Sequence, residues 1–354
     1  MNTEIITTIE IQKIDKSNLD KISINGRKFG STFTDHMFIC TYKNGAWQDA
    51  KITPYQELKL APSARVFHYG QAVFEGMKAY KDTDGQIWLF RPDENQKRIN
   101  KSAKRLAMPK FPKELFFEGL EQLLKIDKEW VPTADGNSLY LRPFMIATGN
   151  GIFAAPSDEY TFMIIASPSG KYYAKDVQVI IAETYSRAAN GGVGAAKAAG
   201  NYGAQFYPTQ LAIEQGYDQI IWTDSTHKYL EEAGTMNVFF RIEDKLITAP
   251  TSKRILDGVT RKSIIALARN QGIIVEERRI KVKEIKKAVK KGILKEMFGA
   301  GTAAVITPIS HFSHKGEDYE IPKTKNRYSE LFKQQLTDIQ YNRAPDPFDW
   351  RYKV

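Results

Sequence analysis

Cysteine is almost absent from this chain of 354 residues: Cys40 stands alone. One thiol closes no disulfide within the chain and builds no cysteine-based metal cluster, which fits a reducing compartment. Histidine is scarce too. His36, His68, His227, His311 and His314 form no HxxxH or HExxH pair, and no carboxylate motif accompanies His311 and His314, so no metal centre is expected. No apolar run approaches the ~20 residues of a membrane-spanning helix. The opening Met-Asn-Thr-Glu-Ile has neither a basic segment nor a long apolar core, so no secretory signal is read and the cytoplasm is the default location.

What is present suits a globular protein of about two domains. Hydrophobic residues make up 42% and aromatics 12%, and the net charge is +10. An excess of that size suits an anionic ligand or nucleic acid. Part of it lies in Lys281–Lys291, where Ile285, Ala288 and Val289 recur at helical spacing and Gly292 can end the helix. This is the wet face of a surface helix, and no nucleic-acid module is visible.

The first half reads as strands joined by tight turns. Met37–Lys43 and Ala46–Ile52 flank Asn44-Gly45, a strong hairpin signal, and Met77–Lys81 and Gln86–Phe90 flank Asp82–Gly85. Phe116, Leu120, Leu123 and Leu124 share a helical face, and Leu139–Ala147 and Tyr160–Ala166 read as buried strands. Ser167-Pro-Ser-Gly170 interrupts the pattern. Beyond it come a strand over Val177–Ala182, a helix within Ala204–Gln215 with Pro208 near its start, strands at Gln219–Thr223, Asn237–Ile242 and Lys245–Thr248, and a helix through Asn270 with Thr260 as N-cap. The expectation is two α+β domains: a smaller one over 1–167, a linker over 168–176, and a larger one over 177–354.

Asn190-Gly-Gly-Val-Gly-Ala-Ala-Lys197-Ala-Ala-Gly-Asn-Tyr-Gly203 sets one long cation among small residues. An ordinary solvated loop lysine is one reading. The other is an amine held close to a planar cofactor, where a lysine forms Schiff bases with carbonyl groups. The run is not a Walker A loop, because Lys197 lies between Ala196 and Ala198. Two further segments could cradle a phosphate: Leu256-Asp-Gly-Val-Thr260-Arg at a helix start, and Phe298-Gly-Ala-Gly-Thr302-Ala. Glu231-Glu-Ala-Gly-Thr235-Met-Asn237 joins carboxylate, glycine turn, hydroxyl and amide before a strand, where an acid could hold a ring N–H⁺. Each of these is also readable as an ordinary cap or turn.

Together the segments resemble the class IV aminotransferase signature: Glu232-x-Gly-Thr-Met-Asn237-Val-Phe239, Leu246-Ile-Thr248 and Ile255-Leu-Asp-Gly-Val259-Thr260-Arg261. Lys197-Ala-Ala-Gly-Asn-Tyr202 resembles the lysine segment of branched-chain amino acid aminotransferases. Phe29-Gly30, Phe33–Met37, His68-Tyr69, Phe74–Lys78, Leu89–Pro92 and Tyr140–Pro143 resemble that family in the same order. The match is closer to its longer, eukaryote-type branch, which also occurs in bacteria.

The resemblance implies a two-domain fold with pyridoxal 5′-phosphate (PLP) between the domains, a homodimer, and reversible transamination of leucine, isoleucine and valine with 2-oxoglutarate by a ping-pong route. It implies Lys197 as the Schiff-base lysine and proton carrier, Glu232 at the pyridine nitrogen and Tyr202 at the cofactor O3′. Arg98, Val259, Thr260 and Thr302 fall to the phosphate. Phe29, Phe74, Tyr140, Tyr172 and Thr235 fall to the substrate pocket. Tyr69 would come from the partner subunit, Arg142 would meet the side-chain carboxylate of glutamate, and Ala303 would offer its backbone N–H. The Cys-x-x-Cys redox pair of some relatives is replaced by Ala304 and Thr307, so thiol switching is not expected. The loop Asn150–Ala154 aligns less cleanly. D-amino acid transaminases and aminodeoxychorismate lyases share this fold but are shorter, and would lack the Phe29–Met37 and Tyr140–Pro143 segments.

Overall fold

A computed structural model of the chain describes residues 8–24, 29–170 and 175–354. Contacts divide the chain into two units. The first contains strands β1 (Glu10–Ile11), β2 (His36–Lys43), β3 (Ala46–Pro54), β4 (Ala72–Phe74), β5 (Met77–Lys81), β6 (Ile87–Phe90), β7 (Ser138–Ala147) and β8 (Tyr160–Ser169), with helices α1 (Arg65–Tyr69), α2 (Pro92–Arg105) and α3 (Lys113–Ile126). Its sheet runs β1-β3-β2-β8-β7-β5-β6, with β4 on β7 and the C-terminal strand Arg351–Lys353 on β6. The β2–β3 turn places Asn44 and Gly45 at φ 54° and 81°, the left-handed backbone that a two-residue hairpin requires and this dipeptide tolerates. Phe116, Leu120, Leu123 and Leu124 of α3 are buried in the core with Phe38 and Phe162. A Cβ on Gly119 would lie 3.0 Å from the Phe38 ring, so glycine lets this helix lie close to the sheet.

Helix α2 has no apolar stripe in the sequence to announce it. Pro92 opens it at the first helical position, where a missing N–H costs nothing. Asn95, Arg98 and Ser102, spaced three and four apart, share its buried face.

The second unit contains β9 (Val177–Ile181), β10 (Gln219–Thr223), β11 (Tyr229–Ala233), β12 (Met236–Ile242), β13 (Lys245–Thr248), β14 (Val275–Glu277), β15 (Ile280–Lys281), β16 (Leu294–Gly301), β17 (Val305–His314) and β18 (Glu317–Glu320). Its helices include α4 (Gly200–Glu214), α5 (Val259–Asn270) and α6 (Val282–Lys290). The path β12-β16-β17-β9-β10-β11 is joined by a β11–β12 pairing, so six strands close into a ring. Val179, Val238, Phe240, Met297 and Phe312 lie in its apolar core, and Ile285 and Ala288 of α6 join them while the lysines of that helix face outward.

The α+β class holds in both units, whereas the boundaries differ from 1–167 and 177–354. Ile339–Val354 belongs to the first unit, which is then the larger one, because Arg351–Lys353 pairs with β6 and Tyr341 packs edge-on against Tyr80. Ala196–Gly200, with Lys197, also belongs to the first unit, because it hydrogen-bonds to β4. Pro168 does not break its strand. Past Ile164 the described ladder of β8 has β7 alone as partner, and such an edge tolerates proline. Pro208 sits inside α4 instead of near its start. The N-cap of α5 is Gly258, with Thr260 one residue into the helix.

Candidate active site

In the first unit, Ala196–Gly200 lies against β4. Phe74 N–H donates to the Lys197 carbonyl at 3.0 Å, Ala199 N–H donates to Ala72 at 3.0 Å, and Val73 bridges Ala198. Lys197 N–H donates to Oγ of the fully buried Ser102 on α2 at 2.9 Å. Both backbone groups of the lysine are therefore fixed. Nζ lies 4.6 Å from the centroid of the Phe74 ring, and the Arg142 guanidinium lies 4.6 Å from the same centroid. Arg142 Nη2 donates to the Tyr140 hydroxyl at 3.0 Å, and Phe29 meets the Tyr140 ring edge-on at 4.7 Å. A Cβ on Gly76 would lie 2.0 Å from that hydroxyl, so the position of Tyr140 demands glycine there.

Glu75 is fully buried next to Phe74. It accepts from Arg98 Nε at 2.7 Å, Arg98 Nη2 at 2.8 Å and Asn95 Nδ2 at 2.7 Å. Burial opposes its ionisation, but the charge and hydrogen bonds of Arg98, with the charge of Lys197 and the Asn95 amide, outweigh it and hold the carboxyl below its ordinary pKa. Lys197 and Arg142 thus meet the Phe74 ring, with Tyr140 and Phe29 beside Arg142, and the acid paired with Arg98 is the next residue along the chain.

In the second unit, strand alternation sends Glu231 and Glu232 to opposite faces of β11. Each is buried and paired with an arginine, Glu231 with Arg254 and Glu232 with Arg187. Burial outweighs Arg254 and pushes the Glu231 carboxyl above its ordinary range. Glu232 Oε1 accepts from Asn237 Nδ2 at 3.1 Å and from Leu256 N–H at 3.0 Å. Arg187 Nε lies 2.7 Å from Glu232 Oε2, an ion pair outside hydrogen-bond angles. Asn237 lies opposite Glu232 on one side and Ala300 on the other, and its Nδ2 also donates to Leu256 O at 3.0 Å.

Gly258 packs on that amide: a Cβ there would lie 2.0 Å from Asn237 Oδ1. The result brings the N-terminus of α5, with Val259 and Thr260 in its first turn and no side-chain cap, beside the Glu232 network. Thr302 and Ala303 occupy the β16–β17 turn, half-buried, and Thr235 is exposed in the β11–β12 turn. Gly194 is small for a reason internal to the protein, since a Cβ would lie 2.5 Å from Arg254 O. Gly200 and Gly203 face open space.

The family model described as amino-transferase class IV matches residues 72–312. The chain belongs to the class IV aminotransferases. It is 46% identical over 333 residues to branched-chain-amino-acid transaminase 1 of Bacillus subtilis, covering 92% of this chain and 94% of the relative. A branched-chain aminotransferase structure from the archaeon Thermoproteus uzoniensis, with norvaline, shares the fold at a TM-score of 0.75 and 23% identity, covering 90% of this chain and 99% of that one. A T.th. branched-chain amino acid aminotransferase, complexed with N-(5′-phosphopyridoxyl)-L-glutamate, matches at a TM-score of 0.71 and 25% identity, covering 88% of this chain and 97% of that one. Class IV aminotransferases are PLP-dependent.

Set in this aminotransferase family, the expected residues form two groups, one in each unit, while Tyr202 lies in the first turn of α4. Lys197, Phe74, Tyr140, Arg142 and Phe29 form one contiguous cluster in the first unit, with Arg98 behind it on Glu75. In the second unit, Asn237 and Gly258 connect Glu232 to Val259 and Thr260. Tyr69 is half-exposed on α1, and its hydroxyl donates to the Ile152 carbonyl of the Asn150–Ala154 loop. Tyr172 lies outside the described residues. Pattern reading missed Glu75, Asn95, Ser102 and Arg187. Glu75 had a signal, a lone acid between apolar strand residues, and Asn95, Arg98 and Ser102 had helical spacing. Arg187 lies in a loop and carried none.

Proposed function

We propose that this aminotransferase transfers the amino group of leucine, isoleucine or valine to 2-oxoglutarate, reversibly and in two half-reactions, with PLP as cofactor. The similarity to branched-chain transaminases over nearly the whole chain supports this. The observation that carries it is the fixed backbone of Lys197, whose Nζ lies 4.6 Å from the centroid of the Phe74 ring that Arg142 also meets. The donor set fits PLP: an amine for the aldehyde, a buried carboxylate for the pyridine nitrogen, and an uncapped helix N-terminus with a hydroxyl for the phosphate.

When bound, the cofactor supplies an electron sink for charge developing at the substrate's α-carbon. Lys197 anchors it and its Nζ then moves the proton at that carbon, help typically worth ~10²–10⁴-fold. Glu232, held by Asn237 and Leu256, keeps a proton on the pyridine nitrogen, and Tyr202 takes O3′. Arg98, Val259, Thr260 and Thr302 hold the phosphate. Phe29, Phe74 and Tyr140, with Tyr172 and Thr235, exclude water and bury branched methyl groups at ~0.8 kcal/mol per CH₂. Arg142 and the Ala303 N–H meet substrate carboxylates, and glutamate enters through the same residues.

The reading extends to a cytoplasmic homodimer in which Tyr69 serves the partner's site. Phe206, Tyr207 and Ile213 on α4, and Ile152 and Phe153 in the first unit, are exposed apolar side chains of the kind a partner covers. No helix among the described residues is long and apolar enough to cross a membrane. The eukaryote-type placement draws no support from the relatives named above, which are prokaryotic.

Borohydride reduction of the yellow protein followed by peptide mapping tests the anchor. The label is expected on Lys197, and a label on another lysine refutes the assignment. An amino-donor panel with 2-oxoglutarate is expected to favour leucine, isoleucine and valine. Preference for D-alanine would overturn the substrate assignment.

A further inference from the structure

The fully buried carboxylate of Glu75 has no role in the scheme so far. Burying an ionised acid is costly unless it is paired and hydrogen-bonded. Glu75 meets that condition with one partner in particular. Arg98 presents the Nε–Nη2 edge of its guanidinium to both carboxylate oxygens, at 2.7 and 2.8 Å. Such a bidentate fork fixes the plane of the guanidinium as well as its place. The acid is fixed in turn, by Asn95 Nδ2 at 2.7 Å and by the Gly76 N–H at 3.2 Å. Asn95 and Arg98 lie three apart on the buried face of α2, so one helix supplies both the clamp on the acid and the cation it aligns. Phe74, the neighbour of Glu75, donates its N–H to the Lys197 carbonyl. The strand that sets the acid therefore also sets the lysine.

We propose that Glu75 is a positioning residue for the cofactor phosphate: it locks the guanidinium plane of Arg98 so that the cation meets a phosphate in one orientation. This rests on the reading that Arg98 serves the phosphate. A carboxylate beside that arginine lowers the local positive charge, which by itself weakens anion binding. A positioning role and a purely electrostatic one therefore predict opposite signs when the charge is removed.

The experiment compares the affinity of the full-length apoprotein for PLP and for pyridoxal, which lacks the phosphate, using absorbance and fluorescence titration. The variants are Glu75→Gln, Glu75→Asp, Asn95→Ala and Arg98→Lys, with far-UV circular dichroism as the fold control. Glu75→Gln is expected to weaken PLP at least tenfold and to change pyridoxal less than twofold. Glu75→Asp should restore part of the loss. Asn95→Ala, which keeps the charge and loosens the acid, should weaken PLP about threefold without changing pyridoxal, and it stands as the test if Glu75→Gln fails to fold. Unchanged or tighter PLP binding in Glu75→Gln overturns the proposal, as does an equal loss for both ligands. Arg98→Lys separates the two levels. If it leaves the PLP-to-pyridoxal ratio unchanged, the phosphate assignment of Arg98 itself fails. If that ratio falls while Glu75→Gln leaves it unchanged, only the role of Glu75 fails.

Discussion

Gly258→Ala is a small change with a large expected effect. Gly258 has φ −70° and ψ 130°, a backbone any residue adopts, so alanine brings no strain. It even restricts the unfolded chain, a gain of about 0.4–1 kcal/mol. The obstacle is the Cβ, which would lie 2.0 Å from Asn237 Oδ1 and 3.2 Å from Arg261 Cβ. The Asn237 amide must then move. It is buried, and its Nδ2 holds Glu232 Oε1 and Leu256 O.

Losing a bond to a charged acceptor costs about 1.5–3 kcal/mol and losing one to a neutral carbonyl about 0.5–1.5. The clash therefore outweighs the gain, and a net loss of about 2 kcal/mol follows. For a cooperative unit of this size that lowers Tm by about 4–8 °C. Thermal melts of the apoprotein measure the shift. PLP titration should show a parallel loss, because Glu232 is released. An unchanged or higher Tm would refute the claim that Asn237 is locked between Glu232 and the start of α5.

Two further outcomes follow from buried groups. Burial pushes the Cys40 thiol up to about 12, so native protein should resist iodoacetamide at pH 8 and keep its activity under mild oxidant; rapid labelling without unfolding contradicts this. The Glu75 carboxyl is held below its ordinary value, so its stabilisation is complete above the usual glutamate pKa of about 4.3 and is lost as pH falls through its own lower value. The gap in urea midpoint between wild type and Glu75→Gln should be constant from pH 7 to 5 and narrow progressively as pH falls below the ordinary glutamate value; a gap that does not narrow at all in acid, or that widens, sinks the assignment.

Much of the local architecture was legible from short-range rules. Asn44-Gly45 specified its hairpin because few dipeptides adopt two left-handed residues. The Phe116–Leu124 stripe specified α3 because its period matches a helix. Misreadings arose where tertiary contacts outweigh local preference. Pro168 lies in a strand because, past Ile164, the described ladder of β8 has β7 alone as partner. Gly258 displaces Thr260 as the cap because nothing larger fits against Asn237.

The residues of the candidate site were named from motif order along the chain, and that order carries no distances. By itself the sequence determined the family, the hairpins and the amphipathic helices, because these depend on residue type and near-neighbour spacing. Only the tertiary structure decided that Lys197 lies on β4, that Ser102 and Phe74 hold its backbone, and that Arg98 is locked to Glu75. The physical reason is separation: Ser102 and Lys197 are 95 positions apart, and no local propensity reports a hydrogen bond closed over that length of chain.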